Sequence, residues 1–310
     1  MIPQTSLFVS ILVLGSCSLK SDPGAMFQER ELVRIDSVDI GAISDFALSA
    51  MATDGTNWYL SFTPGGLLVK TTAGFRELSR FDRSGNGPEE ISDARELGIS
   101  DSWVWVTDVK TLALHRLDHN LRYRDRLTLP MRPLGLFVMS DTEAWIGSID
   151  IEFEDVYRIR AVESGPLVTR WQSRKVGSPP ESMVLFAGTR AFGIQYRPFA
   201  NRIGITTDST LVAEFADPTR PSQLTYQSSM QGPIPEGKIH QTAFQWHEYA
   251  CLVAGGLEDD AQFAACFDKA GRPVARIRFP SPKTLAVSKG DTLFTYSQNT
   301  QHVYRSILDF

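Results

Sequence analysis

An all-β fold of repeated units is what this sequence predicts, and three observations predict it. Past residue 30 there is almost no sustained helical periodicity. Short runs rich in Val, Ile, Leu, Phe, Trp, Tyr and Thr are punctuated by Gly, Asp, Asn and Pro, the pattern of strands and tight turns. Second, one run recurs, with aromatic or apolar residues in alternation after a polar turn. Its copies are NWYLSF from Asn57, WVWVTD from Trp103, EAWIGS from Glu143, AFGIQY from Ala191, YACLVA from Tyr249 and TLFTYS from Thr292. They recur at intervals of about 40 to 60 residues, the range of a four-stranded propeller blade. Third, the two ends of the chain complement each other. The last unit, KTLAVSK, TLFTYSQ and HVYRSILDF, lacks a fourth strand, and ELVRIDSVDI (Glu31 to Ile40) is an unattached strand at the other end. Pairing the two would close a ring and protect the edges of its first and last sheets. The expected architecture is a six-bladed β-propeller with an N-terminal strand closing the last blade.

Each unit reads in the same order. An apolar inner strand ends in a polar turn, such as Ala52-Thr53-Asp54-Gly55 or Ile99-Ser100-Asp101-Ser102, and the recurring run follows as a second strand. Two more strands come next; in the second unit they are LALHRLD (Leu112 to Asp118) and YRDRLTL (Tyr123 to Leu129). Trp58, Trp103, Trp105 and Trp145 lie on the recurring runs, where aromatic residues fill the wedge between adjacent blades. Trp246 has no such clear place.

Composition narrows the function classes. The 310 residues carry 31 basic and 36 acidic side chains, a net charge of −5, so no basic surface points to nucleic acid. Apolar content of 42% is ample for a core. Three cysteines exclude a disulfide-dense scaffold and a four-thiolate zinc site. At the N-terminus, LFVSILVL (Leu7 to Leu14) is too short to span a bilayer and suits a signal-peptide core. It runs into Leu14-Gly15-Ser16-Cys17, which resembles a bacterial lipobox, although MIPQTS before it carries no Lys or Arg. The expected organisation is a signal peptide over 1–16, a tether over 17–30 that is lipid-anchored through Cys17, and the propeller over 31–310. The resemblance, with Ser18 after the cysteine, implies a cell-envelope location at the outer membrane.

At Arg83 to Ile91 the chain reads RSGNGPEEI, followed by ELGISDSWVWVTDVKTLALHRLD. This resembles the NHL-type repeat, a Gly-x-Gly-Pro-x-Glu loop, an inner strand, a hairpin and V-x-V-x-D. The chain from about residue 31 onward looks like the six-bladed, TolB-like and NHL-like propeller lipoproteins of bacteria. Gly177 to Glu181 and Gly232 to Glu236 are degraded echoes of the loop. The motif reads as structural: its glycines would permit positive φ where an outer strand ends, and its proline would stiffen the crossing.

Candidate site residues fall on the loops of one propeller face. Glu89, Asp150, Glu152, Asp155 and Asp259, with neighbours such as Glu90 and Asp93, would either attract a cation or basic partner or simply keep the loops soluble. Ca²⁺ or another divalent cation suits such oxygen ligands, but no loop has EF-hand spacing. Residues 218–238 form a long, Pro/Ser/Gln-rich link that is expected to lack regular structure and to bring Tyr226 over the channel mouth, with Arg197 and Phe199 beside it. Cys251 and Cys266 flank GGLEDD in a predicted hairpin and fall opposite each other, as a disulfide or as two small core residues. Catalytic patterns are weak. The five histidines have no metal-binding spacing, there is no G-x-S-x-G, and Asp45 is the best single channel acid. The reading is a lipid-anchored envelope scaffold, more readily a binder of a protein, peptide or glycan than an enzyme. The alternative is a metal-dependent propeller hydrolase or lyase with its site in the central channel.

Overall fold

The computed structural model describes residues 27–149 and, beyond them, 153–162, 165–175, 185–188, 193–197, 202–207, 210–216, 226–229, 232–235, 239–255, 263–279 and 285–308. Among these residues there are strands and turns and no helix. The first strand, β1 (Gln28–Asp39), pairs with the end of the chain. Four sheets then follow one plan, each a meander of four antiparallel strands side by side in chain order. They are β2 (Ala47–Thr53), β3 (Trp58–Thr63), β4 (Leu67–Thr71) and β5 (Glu77–Phe81); β6 (Ala94–Ile99), β7 (Trp103–Asp108), β8 (Ala113–Asp118) and β9 (Tyr123–Thr128); β10 (Pro133–Ser140), β11 (Glu143–Ile149), β12 (Phe153–Val162) and β13 (Gly165–Lys175); and β14 (Leu185–Gly188), β15 (Gly193–Arg197), β16 (Arg202–Thr207) and β17 (Thr210–Ala216). A two-stranded ribbon, β18 (Tyr226–Ser229) and β19 (Gly232–Pro235), precedes the last sheet. That sheet holds β20 (Ile239–Trp246), β21 (Tyr249–Gly255), β22 (Phe263–Phe267), β23 (Pro273–Arg278), β24 (Leu285–Lys289), β25 (Thr292–Ser297) and β26 (His302–Leu308). Its order is β20-β21-β22-β23-β1-β26-β25-β24.

All six copies of the recurring run form second strands, namely β3, β7, β11, β15, β21 and β25. β3, β7 and β25 are buried on both faces, so Ser61, Thr107 and Thr295 are as deeply covered as Trp58, Trp105 and Tyr296. A strand enclosed on both sides reads as a nearly continuous run of apolar and small residues. The core is divided among the gaps between sheets. Trp58, Phe75, Phe294 and Tyr296 join the first sheet to the last strands, with Trp58 and Phe294 ring centres 4.4 Å apart. Tyr59 and Val104 join the first and second sheets; Trp105 and Ile146 the second and third; Ile203 and Leu252 the fourth and last. Trp246 also belongs to the core, at 2% exposure, whereas Trp103 is only partly buried at the margin of its cluster.

The first strands of the units touch in a circle. β2 lies against β6, β6 against β10, β10 against β14, β14 against β20, β20 against β24, and β24 against β2. Among the described residues hydroxyls tie this circle at two points. Ser49 Oγ donates across to the Ala94 carbonyl at 3.0 Å, and the Ser288 hydroxyl donates to the Gln245 carbonyl. The chain is therefore an all-β propeller.

Its closure uses β1 on both sides. Leu32 through Asp39 pair antiparallel with Leu308 back to His302 in β26. The strand also starts earlier than Glu31: Gln28 to Glu31 pair parallel with Ala275 to Arg278 in β23. One strand thus fills the place of the missing outer strand and stitches it to the preceding unit. Cys251 and Cys266 are directly opposed in β21 and β22 and joined in a disulfide, with sulfurs 2.09 Å apart.

The RSGNGPEEI crossing is held by its own polar atoms. The carboxylate of Glu90 turns back and accepts from the Gly87 amide at 2.7 Å. Neither Gly85 nor Gly87 has a positive φ, which corrects the expectation for these glycines. Close approach marks them instead, since a Cβ on Gly85 would lie 2.0 Å from Glu90 Oε2 and one on Gly87 2.9 Å away. Because the obstructing atom ends a flexible side chain, Gly85→Ala is expected to displace Glu90 rather than the backbone. We expect Gly85→Ala and Glu90→Ala each to cost about 1 kcal/mol in urea unfolding, and the double variant no more than about the same, because both remove one hydrogen bond. Additive losses would contradict this coupling.

The link over 218–238 also departs from expectation. It is not without regular structure, because Tyr226 to Ser229 pair with Pro235 to Gly232 in the β18–β19 ribbon. The Pro/Ser/Gln-rich composition concealed a hairpin whose strands are only four residues each.

Candidate functional site

Two cavities bear on function. The larger, about 570 Å³, is a groove against the second sheet, lined by Asn86, Pro88, Glu89, Tyr123, Arg126 and Thr128. The other, about 320 Å³, is the central channel, lined by residues of β2, β6, β10, β20 and β24. Each of these strands is the edge of its sheet, so backbone amides and carbonyls left out of the sheet ladders face the channel beside the side chains. The exposed lining is more polar than apolar: edge-strand backbone groups with Thr53, Thr242, Gln245 and Ser288 stand beside the partly exposed Leu97, Ile99, Val138, Leu285 and Val287, while Met51, Leu136, Phe137 and Phe244 turn into the core behind. Glu96 is the one carboxylate among the described lining residues. The groove is built from one sheet and its crossing, whereas the channel is lined by five inner strands, and the channel is the stronger candidate.

Glu96 owes its place to a β-bulge. Between Ala94 and Leu97 the register of β6 against β7 shifts by one residue, and the Glu96 amide donates to the Thr107 hydroxyl at 3.0 Å instead of to a ladder carbonyl. Bulges of this kind redirect side chains. Similar shifts occur in β2 after Leu48, in β10 after Pro133 and in β20 after His240. Burial pushes the Glu96 carboxyl up to about 7, opposed by the positive charge of Arg95. The side chain nevertheless retains partial exposure, which it has toward the channel.

The crossing that leads into β6 ends at Asp93, three residues before Glu96. Asp108, the final residue of V-x-V-x-D, is fully buried and holds this crossing to the β7–β8 turn. It accepts from the amides of Ser92 at 2.7 Å, Asp93 at 3.2 Å, Lys110 at 3.0 Å and Thr111 at 3.1 Å. Burial works to raise its pKa, but the surrounding donors outweigh burial and hold its carboxyl well below the usual carboxylate range. The His115 Nε2 is 3.7 Å from Asp108 Oδ2, beyond hydrogen-bond reach, so the backbone amides carry this effect. A similar carboxylate closes the β2–β3 turn. Burial tends to raise Asp54, yet bonds from Asn57, Thr56 and Tyr59 bring it down to about 2.

The residues anticipated from sequence are dispersed. Glu89 is exposed, bound to Arg83 at 2.6 Å, and lines the outer groove rather than the channel. Asp155 stands in β12 opposite Ser148 and Ser173. Arg197 ends β15 opposite Arg202, and Tyr226 opens the ribbon opposite Pro235. Asp150, Glu152, Phe199, Asp259 and the lipobox Cys17 lie outside the described residues. Asp45 is exposed two residues before β2 and does not line the channel; the channel acid is Glu96. Its only signal in the sequence is a carboxylate inside an apolar inner strand, ARELGI. Among the described residues no three His, Cys, Asp or Glu side chains gather into a group that could hold a metal ion.

No protein-family model matches the chain, and no curated protein sequence matches it. Solved structures do resemble it. A catalytically inactive variant of virginiamycin B lyase from Staphylococcus aureus, solved with quinupristin, has a TM-score of 0.60 at 13% identity over 88% of this chain and 99% of that one. A DUF4221-family member from Bacteroides vulgatus has a TM-score of 0.58 at 10% identity over 92% and 99%. BamB from Moraxella catarrhalis has a TM-score of 0.50 at 10% identity over 90% and 98%. At such identities the likeness is one of fold, the β-propeller.

Proposed function

We propose that this chain is a six-bladed propeller tethered to the cell envelope through a lipidated Cys17, and that it works as a binding scaffold whose ligand sits at the channel mouth. The observation that carries the reading is the channel itself, where edge-strand backbone groups, hydroxyls and one carboxylate converge beside aliphatic side chains. Binding sites are concavities in which converging polar groups fix a ligand's orientation. The six second strands and the circle of inner-strand contacts support the blade count. The ligand class is a protein, peptide or glycan of the envelope. A metal-dependent hydrolase or lyase would need several converging ligands, and Glu96 is the single acid among the described channel residues.

Position-specific photo-cross-linking in the native envelope tests this. Phe46, 47% exposed, stands just before β2 at the same rim as Asp93, and Leu78, 49% exposed, lies on the outer strand β5. We expect a cross-linker at position 46 to capture an envelope component that one at 78 does not, and Cys17→Ser to release the protein from the membrane fraction. Equal capture from both positions would overturn the site; unchanged membrane association would overturn the anchor.

A further inference from the structure

We propose that the channel mouth recognises an alkylammonium group on the carboxylate of Glu96, an inference that rests on the channel being the binding site. The bulge in β6 takes Glu96 out of the strand ladder and sets it in the channel wall. Among the described residues its side chain has no hydrogen-bond or ion-pair partner. The nearest cation in sequence, Arg95, is paired with Asp93 at 3.2 Å.

The strands packed against β6 supply no counter-charge. β2 and β10 carry no titratable residue. On β3, the Tyr59 hydroxyl donates to Asp54 at 2.9 Å. On β7, Asp108 is itself an anion enclosed by amides. Across the channel, β14 has no titratable residue, β20 carries His240 and β24 ends at Lys289.

A carboxylate so placed is costly to ionise, because burial in the channel wall removes its water. That cost is what holds Glu96 near neutral pH. A ligand that brings its own ammonium repays the cost, whereas a neutral or anionic ligand does not. Leu97, Ile99 and Val138, partly exposed in the lining, offer apolar contact for an alkyl chain behind that ammonium. The same group is presented by a free amine or by a lysine side chain of an envelope partner. Because the cation favours the ionised carboxylate, binding near neutral pH transfers the Glu96 proton to solvent.

Calorimetric titration of the lipidated protein in detergent, with hexylammonium as the probe and hexan-1-ol as its neutral match, tests the assignment. We expect saturable hexylammonium binding that Glu96→Gln weakens about tenfold or more, as for loss of one partner of a desolvated charge pair. Wild-type affinity should fall about tenfold or more from about pH 8 to about pH 5.5, as the carboxyl protonates while the amine stays charged. The heat near pH 7 should depend on buffer ionisation, reporting the released proton, and Glu96→Gln should show neither effect. Should that variant melt lower than wild type, the pH profile and proton release of the wild type decide alone. A lysine-containing peptide binding more tightly than hexylammonium identifies a protein partner as the source of the ammonium; the reverse order identifies a free amine. Equal affinity for hexylammonium and hexan-1-ol would overturn the cation assignment and leave the channel reading standing. Binding of neither probe would also overturn it, and cross-linking from position 46 then decides the channel reading separately.

Discussion

Removing residues 28–39 is expected to lower the melting temperature by at least about 10 °C, where 1 kcal/mol moves the midpoint of a chain this large by about 2–4 °C or less. Removing 18–26 is expected to leave it unchanged. β1 is paired along both edges, with β26 from Leu32 to Asp39 and with β23 from Gln28 to Glu31. Its loss forfeits a row of backbone hydrogen bonds, each worth about 1 kcal/mol net. It also uncovers two strand edges inside a single eight-stranded sheet, which invites pairing between molecules. Leu32 and Val38 pack against the neighbouring clusters, so apolar contact is lost as well. The ion pairs Asp36–Arg305 and Glu29–Arg276 lie largely at the surface and add little. Equal melting temperatures for the two truncations would show that β1 is an appendage.

The second large effect is expected at Asp108. Replacing it with Ala strands the amides of Ser92, Asp93, Lys110 and Thr111 in the interior, for a loss of about 3–5 kcal/mol in chemical denaturation. An asparagine side chain keeps the shape and one acceptor, so Asp108→Asn is expected to cost about 2–3 kcal/mol, the difference between charged and neutral bonds. The sign of the pH dependence follows from the lowered folded-state pKa. Such a carboxylate stabilises the fold fully above the unfolded value, about 4, and loses that contribution as pH falls toward its folded value. The gap between wild type and Asp108→Asn should therefore be widest at about pH 7 and should narrow below about pH 4. A gap constant with pH would mean that the charge contributes nothing. Asp54, held at about 2, adds to acid sensitivity in the same direction.

Much of this architecture was legible in the sequence because burial on both faces leaves a strong mark. WVWVTD and TLFTYS have no exposed position in the structure, so the second strands stood out wherever they occurred. The need for a closing strand was equally plain from the three-strand last unit. What escaped the sequence depends on register between strands. The parallel pairing of Gln28–Glu31 with β23 has no periodic signature. The bulge that admits Glu96 to the channel arises from β6 meeting Thr107 of β7 out of step, and alternation along ARELGI alone does not locate it. Asp45 drew attention by its position at the start of a strand, yet β2 begins two residues later and leaves it at the rim. The motif glycines looked like turn formers, whereas their place is set by the Glu90 carboxylate folding back over them.

The channel, its mouth and the place of Glu96 all require a closed ring, so closure is the claim on which the account depends. Residue-resolved amide hydrogen exchange of the intact protein measures it directly. If β1 is the strand that completes the ring, the amides of residues 32–39 that face β26 will exchange as slowly as those of β25. If those amides exchange at the rate of an unstructured peptide while β25 stays protected, the ring is open at this seam and the account is wrong.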